Sequence, residues 1–472
     1  MLQPGLIMDR LLLISDVIEH AAAQFGDSEI VSRETHGPLF RYTYAQCAAR
    51  ARKLAHALRY LGLRAGNALA TLAWNNHRHL EIYYAVSGSG MVIHTCNPRL
   101  HPEQLIYIVN HAEDRVLFFD RTFAPLIERI APRCPKVKAW IGLSDATNML
   151  AGVDNVLCYE DCIAPHPEQF DWPQFDERGA AAICYTSGTT GHPKGALYSH
   201  RAIVLNTTAC CLPGVLSISP RDTILPAVPM FPVNGWCIPY AAPIGGAKLV
   251  LPGQRLDGAS LYELMEAEGV TLTCLSARQM NTPAAARHAH SAKHGKSAFG
   301  IEIKVVDQNG ATLPRDGVSQ GELMVRGQWI IERYYKSDAS AQVDGCFPTG
   351  DIATIDAHGL LHIKDRAKDL IKAGGEWISS IDLENAAVGH PAVAMAAVIG
   401  VEHPRWEERP LLFIVRKPDH TLERKEILAF LAGQVAKWWV PDEVIFLDSL
   451  PVGGTGKVQK AALRECYGSV FI

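Results

Sequence analysis

The chain has no apolar run approaching the roughly 18–20 residues that cross a bilayer. Its apolar stretches, such as Leu11–Ile14 and Leu411–Val415, are short, so no integral membrane segment is expected. It also lacks an excess of either charge: 45 Lys and Arg against 49 Asp and Glu leave a formal net charge of -4. Nucleic acid and anionic lipid would therefore meet no global basic field, and any anion site has to be local. Paired CxxC spacings are missing as well. The 12 cysteines are scattered, and the closest, Cys158 with Cys162 and Cys210 with Cys211, do not fit a zinc site. Free thiols in a reducing cytoplasm are the expectation. The first ten residues put their charges after a weak apolar patch and offer no small-residue cleavage site, so a secretory signal is not expected. There is no internal repeat and no low-complexity linker. What remains is a chain of 472 residues, 48% hydrophobic and 20% charged, which is globular in composition and long enough for more than one core.

Helical and strand patterns alternate through the first part of the chain. Thr43-Tyr-Ala-Gln46 has the form of a capping box and opens an amphipathic run through Ala48, Ala51, Leu54, Ala55 and Leu58 that Gly62 closes. Strand patterns at Ala68–Trp74, Met91–Thr95, Val116–Phe119 and Lys138–Ile141 are separated by helical ones at His79–Ser87, Pro102–Asn110 and Phe123–Ile130. That alternation predicts an α/β fold with a parallel sheet and crossover helices. Past residue 300 the texture becomes hairpin-like, with Ile301–Val306, Gly321–Arg326 and Leu360–Ile363 and turns at Asn309-Gly310, Asp344-Gly345 and His358-Gly359. From Ile381 a small α+β pattern follows: a helix, strands at Ala396–Ile399 and Leu411–Val415, and a helix from about Glu423 to Trp438. The charged stretch Lys364–Asp369 joins the two patterned regions, giving domains of 1–366 and 367–472.

The strongest local signal is Tyr185-Thr-Ser-Gly-Thr-Thr-Gly-His-Pro-Lys-Gly195, which follows the apolar run Ala180–Cys184. A strand feeding a loop rich in glycine and hydroxyls offers backbone N–H groups and hydroxyl donors to a polyphosphate, with Lys194 as a mobile counter-charge. It is not a Walker A loop, because Pro193 precedes Lys194 and Gly195 follows it. Three further segments are weak individually. Gly453-Gly-Thr-Gly-Lys457 alone reads as a solvated turn, while Thr349-Gly-Asp351 and Asp365–Glu376 hold carboxylates and cations suited to a ribose or phosphates. Other motifs read as structural. Gly317-Val-Ser-Gln-Gly321 matches GxSxG but enters a strand from a turn, where a nucleophile elbow needs strand, turn and then helix. His288-Ala-His290 has no third ligand at helical spacing, and Tyr334-Tyr335 and Trp438-Trp439 read as packing.

Taken together and in this order, these segments resemble the adenylate-forming superfamily of acyl-CoA synthetases, adenylation domains and luciferases, over residues 15 to 467. Trp74-Asn-Asn-His-Arg-His-Leu-Glu-Ile-Tyr-Tyr84, Cys96-Asn-Pro-Arg-Leu100 and Gly374-Gly-Glu-Trp-Ile-Ser379 look most like medium-chain fatty-acyl-CoA ligases. The resemblance implies a large N-terminal domain of parallel-rich sheets with helices plus a distorted β-barrel portion, and a small, mobile α+β C-terminal domain. It implies a carboxylic acid, ATP, CoA and Mg²⁺ as reactants and cofactor, with no nucleic-acid partner. The acid attacks the α-phosphate of ATP to give an acyl adenylate, and the CoA thiol then displaces AMP. Thr186, Ser187, Gly188, Thr189, Thr190 and Gly191 with Lys194 would hold phosphates. Asp351 and Arg366 would serve the ribose, and Lys457 would bridge the carboxylate and ATP. Lys368 falls at the hinge, Gly374 and Gly375 at the thioester step, and Phe231, Pro232, Gly235 and Trp236 along the acyl site.

Two departures accompany the resemblance. Pro232 stands where family members usually carry His, which removes a donor and fixes φ. Between Leu275 and Gly300 the family's adenine-side segment and its aromatic-Gly-x-Thr-Glu segment, whose Glu binds Mg²⁺, are both missing. The gap centres on residues 275–292 and amounts to about 60–80 residues at roughly 30 per βαβ unit. An impaired or non-catalytic relative, and an aromatic-acid ligase, therefore stand as alternatives to an active fatty-acyl ligase.

Overall fold

The computed structural model describes residues 5–35, 38–145, 153–186, 192–231, 233–274, 295–374, 376–453 and 458–470. The chain divides into two compact units, Met1–Asn281 with Arg333–Ala339, and Thr282–Glu332 with Ser340–Ile472.

In the first unit, a seven-stranded sheet runs in the order Val156–Cys158, Ala139–Gly142, Val116–Phe119, Ala68–Leu72, Val92–Thr95, Ala180–Tyr185, Gly195–Ser199. All neighbours are parallel except the last pair. Strands buried on both faces need near-continuous apolar sequence, and Val-Leu-Phe-Phe at 116–119 meets that need, with every residue buried. The crossover helices begin where local chemistry starts them. Thr43 accepts from the Gln46 N–H while the Gln46 side chain accepts from the Thr43 N–H, closing a capping box worth about 1 kcal/mol. The helix Tyr44–Tyr60 then buries Ala48, Ala51, Leu54, Ala55 and Leu58, the stripe its periodicity predicts. A second sheet has the order Leu272–Cys274, Thr223–Pro226, Lys248–Leu251, Glu29–Arg33, Leu39–Thr43. Among the described residues, Leu272–Cys274 is one of its edges.

In the second unit, Ile301–Val306, Gly321–Gly327, Phe347–Ile355 and Leu361–Arg366 make a four-stranded antiparallel sheet. The barrel portion expected from the resemblance is not closed among the described residues: Ile301–Val306 and Leu361–Arg366 are the two edges of an open sheet and do not pair with one another. The same unit holds the α+β module, whose sheet is built from Ile371–Ala373, Glu376–Ile378, Val393–His403, Glu407–Arg416 and Glu443–Phe446. Its long hairpin is covered by the helix Ser380–Val388, with Ile371, Leu383, Val398, Leu412 and Ile427 in one core. The last expected helix is shorter than its pattern: it spans Arg424–Ala432 and stops at Gly433, and Trp438 falls in a separate turn, Lys437–Trp439. Glycine is a poor helix continuer, which accounts for the stop.

The described cysteines form no disulfide, as the scattered spacing predicts. Ser319 of the GxSxG stretch donates to Asp316 at 2.7 Å and sits in the turn before Gly321, so it is a loop residue and not a nucleophile elbow. His288 and His290 lie outside the described residues. No helix among the described residues is long and apolar enough to cross a membrane.

Candidate active site

The glycine-rich segment leaves the sheet at Tyr185 and returns at Gly195, which lie opposite one another in the antiparallel pair. Its stem is closed twice by the same two residues. The Thr186 N–H donates to the Lys194 carbonyl at 2.9 Å, and the Lys194 N–H donates to Thr186 Oγ1 at 3.1 Å. Of the residues assigned to phosphate binding, Thr186 and Lys194 are thus brought together, both exposed. Ser187, Gly188, Thr189, Thr190 and Gly191 lie outside the described residues. Lys194 Nζ stands 5.3 Å from the centre of the Tyr334 ring, and the Tyr335 N–H donates to the Gly195 carbonyl at 2.8 Å. Tyr334-Tyr335 therefore packs against the stem, as expected.

The acyl-site segment lies in the same unit, beside the end of the same strand. Asn75, from the Trp-Asn-Asn stretch, donates to the carbonyls of Pro226 and Val228 and accepts from the Met230 N–H, at 2.8–2.9 Å. Thr95 donates to the Phe231 carbonyl at 3.0 Å. Phe231 is buried, and Pro232 lies outside the described residues. Five successive residues then take positive φ: Val233 at 47°, Asn234 at 50°, Gly235 at 62°, Trp236 at 56° and Cys237 at 59°. Such a left-handed turn costs roughly 1–2 kcal/mol per non-glycine residue, so the surroundings must hold it. Asn234 is buried and accepts from the Cys184 thiol at 3.4 Å. Gly235 sits where a Cβ would lie a tight 3.2 Å from Met230 Cα. Trp236 is 56% exposed.

In the second unit, Asp351 and Arg366 pair across adjacent strands, with Arg366 Nε 3.0 Å from Asp351 Oδ1. Arg366 Nη1 also donates to the Thr349 carbonyl at 2.9 Å, and the Ala367 N–H donates to the Gly350 carbonyl at 2.9 Å. The positive φ of Gly350, 72°, makes that return possible. Lys368 is exposed and borders a cavity of about 680 Å³ with Lys372, Glu402, His403, Glu407 and Glu408. Gly374, at φ 61°, donates to the Trp406 carbonyl at 2.8 Å, and a Cβ there would meet Trp406 Cε3 at 2.9 Å. Gly375 and Lys457 lie outside the described residues. The chain on either side of Lys457 is pinned: Val452 bridges Val458, and the Gln459 N–H donates to the Pro451 carbonyl at 2.8 Å. Lys460 Nζ then reaches Ser380 Oγ at 2.6 Å and Glu384 Oε1 at 2.7 Å.

The motif reading missed the residues behind the phosphate-loop stem. His111 Nδ1 lies 2.7 Å from the Tyr185 hydroxyl, and the His94 and Tyr185 ring centres are 4.9 Å apart. His94 in turn is bonded to Asp114 at 2.7 Å, with both side chains wholly buried. Burial works against a charged imidazole, yet the Asp114 carboxylate raises His94 above the ordinary range. No spacing rule marks these residues. The sole sequence signal is their position at the ends of adjacent elements.

An α/β unit carrying a strand, a Gly/Thr-rich loop with a lysine at its foot and a returning strand, and a second unit with an Asp–Arg pair before a small α+β module, define a nucleotide-dependent adenylating class. The AMP-binding enzyme family matches residues 18–294, and the AMP-binding enzyme C-terminal domain matches 382–457. The chain belongs to the AMP-binding enzyme family, in the adenylate-forming superfamily. It is 43% identical to the 3-methylmercaptopropionyl-CoA ligase of Ruegeria lacuscaerulensis, with 98% of each chain covered. It is also 43% identical to the medium-chain-fatty-acid–CoA ligase of Ectopseudomonas oleovorans, covering 99% of this chain and 98% of the relative. These relatives are acyl-CoA ligases. The fold is shared with ATP-bound MatB of Rhodopseudomonas palustris, at a TM-score of 0.81 and 24% identity over 97% of this chain and 100% of that one.

Proposed function

We propose that the protein is an ATP-dependent fatty-acid CoA ligase that works through an acyl adenylate, with medium-chain acids as the substrate class and the cytoplasm as its place. The observation that carries this reading is the match to acyl-CoA ligases along 98–99% of the chain at 43% identity. The site chemistry agrees with it. A carboxylate is a poor electrophile until its oxygen becomes part of a good leaving group, and adenylation supplies that.

In this reading the loop closed by Thr186 and Lys194 holds the β- and γ-phosphates, and Asp351 accepts from the ribose hydroxyls with Arg366 beside it. Lys457 stabilises charge between the acid and the α-phosphate. Residues 1–366 form the AMP-binding domain, and residues 367–472 turn about Lys368 between half-reactions. The turn withdraws Lys457 and brings Gly374-Gly375 to the thioester step. Phe231, Pro232, Gly235 and Trp236 border the acyl chain.

One observation favours a second reading, a catalytically impaired member. The alignment with the Ruegeria relative spans 532 positions against 472 residues here, so at least 60 of its positions have no counterpart in this chain. No Thr-Glu pair occurs anywhere in the sequence, and among the described residues no group of three His, Cys, Asp or Glu side chains is placed to hold a metal ion. The residues described therefore offer no ligand set for the family's Mg²⁺. Acid-dependent ATP–pyrophosphate exchange with straight-chain acids of increasing length and with aromatic acids separates the readings. Exchange that peaks with medium-chain acids supports the ligase. Exchange with aromatic acids alone moves the substrate class, and no exchange with any acid leaves the impaired relative.

A further inference from the structure

The stem of the phosphate loop is backed by a chain of contacts that none of the loop's own residues explains. Gly195, which begins the returning strand, has no room for a side chain: a Cβ there would lie 2.9 Å from Ile183 Cδ1 and 3.1 Å from Tyr185 Cζ. The Cζ end of the Tyr185 ring therefore packs close to the Gly195 backbone, next in the chain to Lys194. Its hydroxyl is held by His111 Nδ1 at 2.7 Å. His111 comes from the last turn of the helix Pro102–Ala112, 74 residues away in sequence.

That helix end is itself fixed. Lys336 Nζ donates to the His111 carbonyl at 2.8 Å and pairs with Glu113 at 3.0 Å. The Tyr335 ring meets His111 edge-on at 5.6 Å, and the N–H of the same tyrosine donates to the Gly195 carbonyl. On the other side Tyr107 stacks on His111 at 5.4 Å and on His192, inside the loop, at 4.4 Å. The helix end, the Tyr334–Lys336 segment and the two ends of the loop thus form one network, with His111 at its centre.

We propose that His111 is a positioning residue for polyphosphate capture: by its hydrogen bond with the Tyr185 hydroxyl it holds the ring against Gly195 and so sets the orientation of Lys194 at the foot of the loop. The proposal rests on the reading of this loop as the phosphate site. His111 touches neither substrate nor reacting atoms; it acts through Tyr185. A hydrogen bond of this kind contributes about 1 kcal/mol where it is made. Spent on loop orientation, that is a factor of roughly five to ten in affinity.

The test uses the full chain and titration calorimetry with inorganic tripolyphosphate and with Mg·ATP, beside the thermal midpoint of each variant. Tyr185→Phe and His111→Leu each remove the bond while keeping an apolar or aromatic body. Both are expected to weaken tripolyphosphate binding about five- to tenfold. His111→Asn returns an amide oxygen near the place of Nδ1 and is expected to recover binding to within about twofold. Rescue separates positioning from packing, because Asn fills the site less well than Leu. If the parent binds and Tyr185→Phe and His111→Leu bind equally well, the proposal is overturned while the phosphate-site reading stands. If Asn fails to rescue, or if affinity merely follows the thermal midpoint, His111 is structural only and the proposal fails. If the parent binds neither probe, the phosphate-site reading fails and takes this one with it.

Discussion

Arg366 Nε lies 3.0 Å from Asp351 Oδ1 across the antiparallel pair that the two residues share, so the two groups assigned to the ribose are partners of each other. The sheet register holds Asp351 in place, and Arg366 spends two donors, one on the carboxylate and one on the Thr349 carbonyl. Arg366 is 49% exposed, and an ion pair that open to water contributes at most about 1 kcal/mol to folding. Arg366→Ala is therefore expected to leave the urea midpoint nearly unchanged while raising the KM for ATP about tenfold. Asp351→Asn is expected to cost more in ATP affinity than Arg366→Ala. Equal, small effects from both on ATP would remove the ribose assignment.

Lys457 and Gly374 stand for different half-reactions in the proposed cycle. If the chain is active, Lys457→Ala should suppress pyrophosphate exchange by several orders of magnitude, while CoA transfer from supplied acyl-AMP falls less than about tenfold. Parallel loss of both steps would contradict a rotating C-terminal part.

Gly374 has no freedom to be anything else. Its φ of 61° and the Trp406 ring 2.9 Å from where a Cβ would sit each penalise a side chain, the backbone alone by roughly 1–2 kcal/mol. Gly374→Ala is expected to lower stability by about 2–3 kcal/mol in urea unfolding. Trp406→Ala, in the same background, should recover the steric share and leave the backbone share. A Gly374→Ala protein as stable as its parent would show that this turn is not under the constraint described.

Acid should weaken the first unit. Burial pushes His79 and His200 down to about 4, and each is built to be neutral. His200 Nδ1 accepts from the Ile14 N–H at 3.2 Å, and His79 bonds the Trp74 carbonyl and Thr71. The unfolded chain binds a proton on each near pH 6.5, and the native chain only near 4. The unfolded state therefore holds more protons in that window, and stability falls as pH drops through it, while above about 6.5 these groups add no slope. Each contributes roughly 3 kcal/mol over the full interval. Urea midpoints at pH 7.5 and 5.0 measure the loss. His200→Asn keeps an acceptor for Ile14 but cannot titrate, and should remove close to one proton's share of it.

Much of the architecture was legible because it depends on near neighbours. The capping box at Thr43 and Gln46 closes within four residues, Val116–Phe119 is apolar on both faces, and the Gly317–Gly321 turn is shaped by Asp316 beside it. Each is settled by hydrogen bonds or burial that adjacent residues impose, wherever the chain goes next. The loop from Tyr185 to Gly195 was legible for the same reason, since glycine and hydroxyl density at a strand end is a local property. Tertiary structure alone decided what stands behind it. His111 and Tyr185 are 74 residues apart and Asn75 and Met230 are 155 apart; no periodicity connects them, because their meeting depends on strand order and on the length of each crossover. The run of positive φ from Val233 to Cys237 was likewise invisible. Local preference opposes it in a valine, and it is found where Asn234 is buried and bonded to the Cys184 thiol, on a strand 50 residues earlier. The sheet that stays open among the described residues has the same origin: each strand pattern was readable, but closure depends on whether the first and last strands meet, which is a property of the whole sheet.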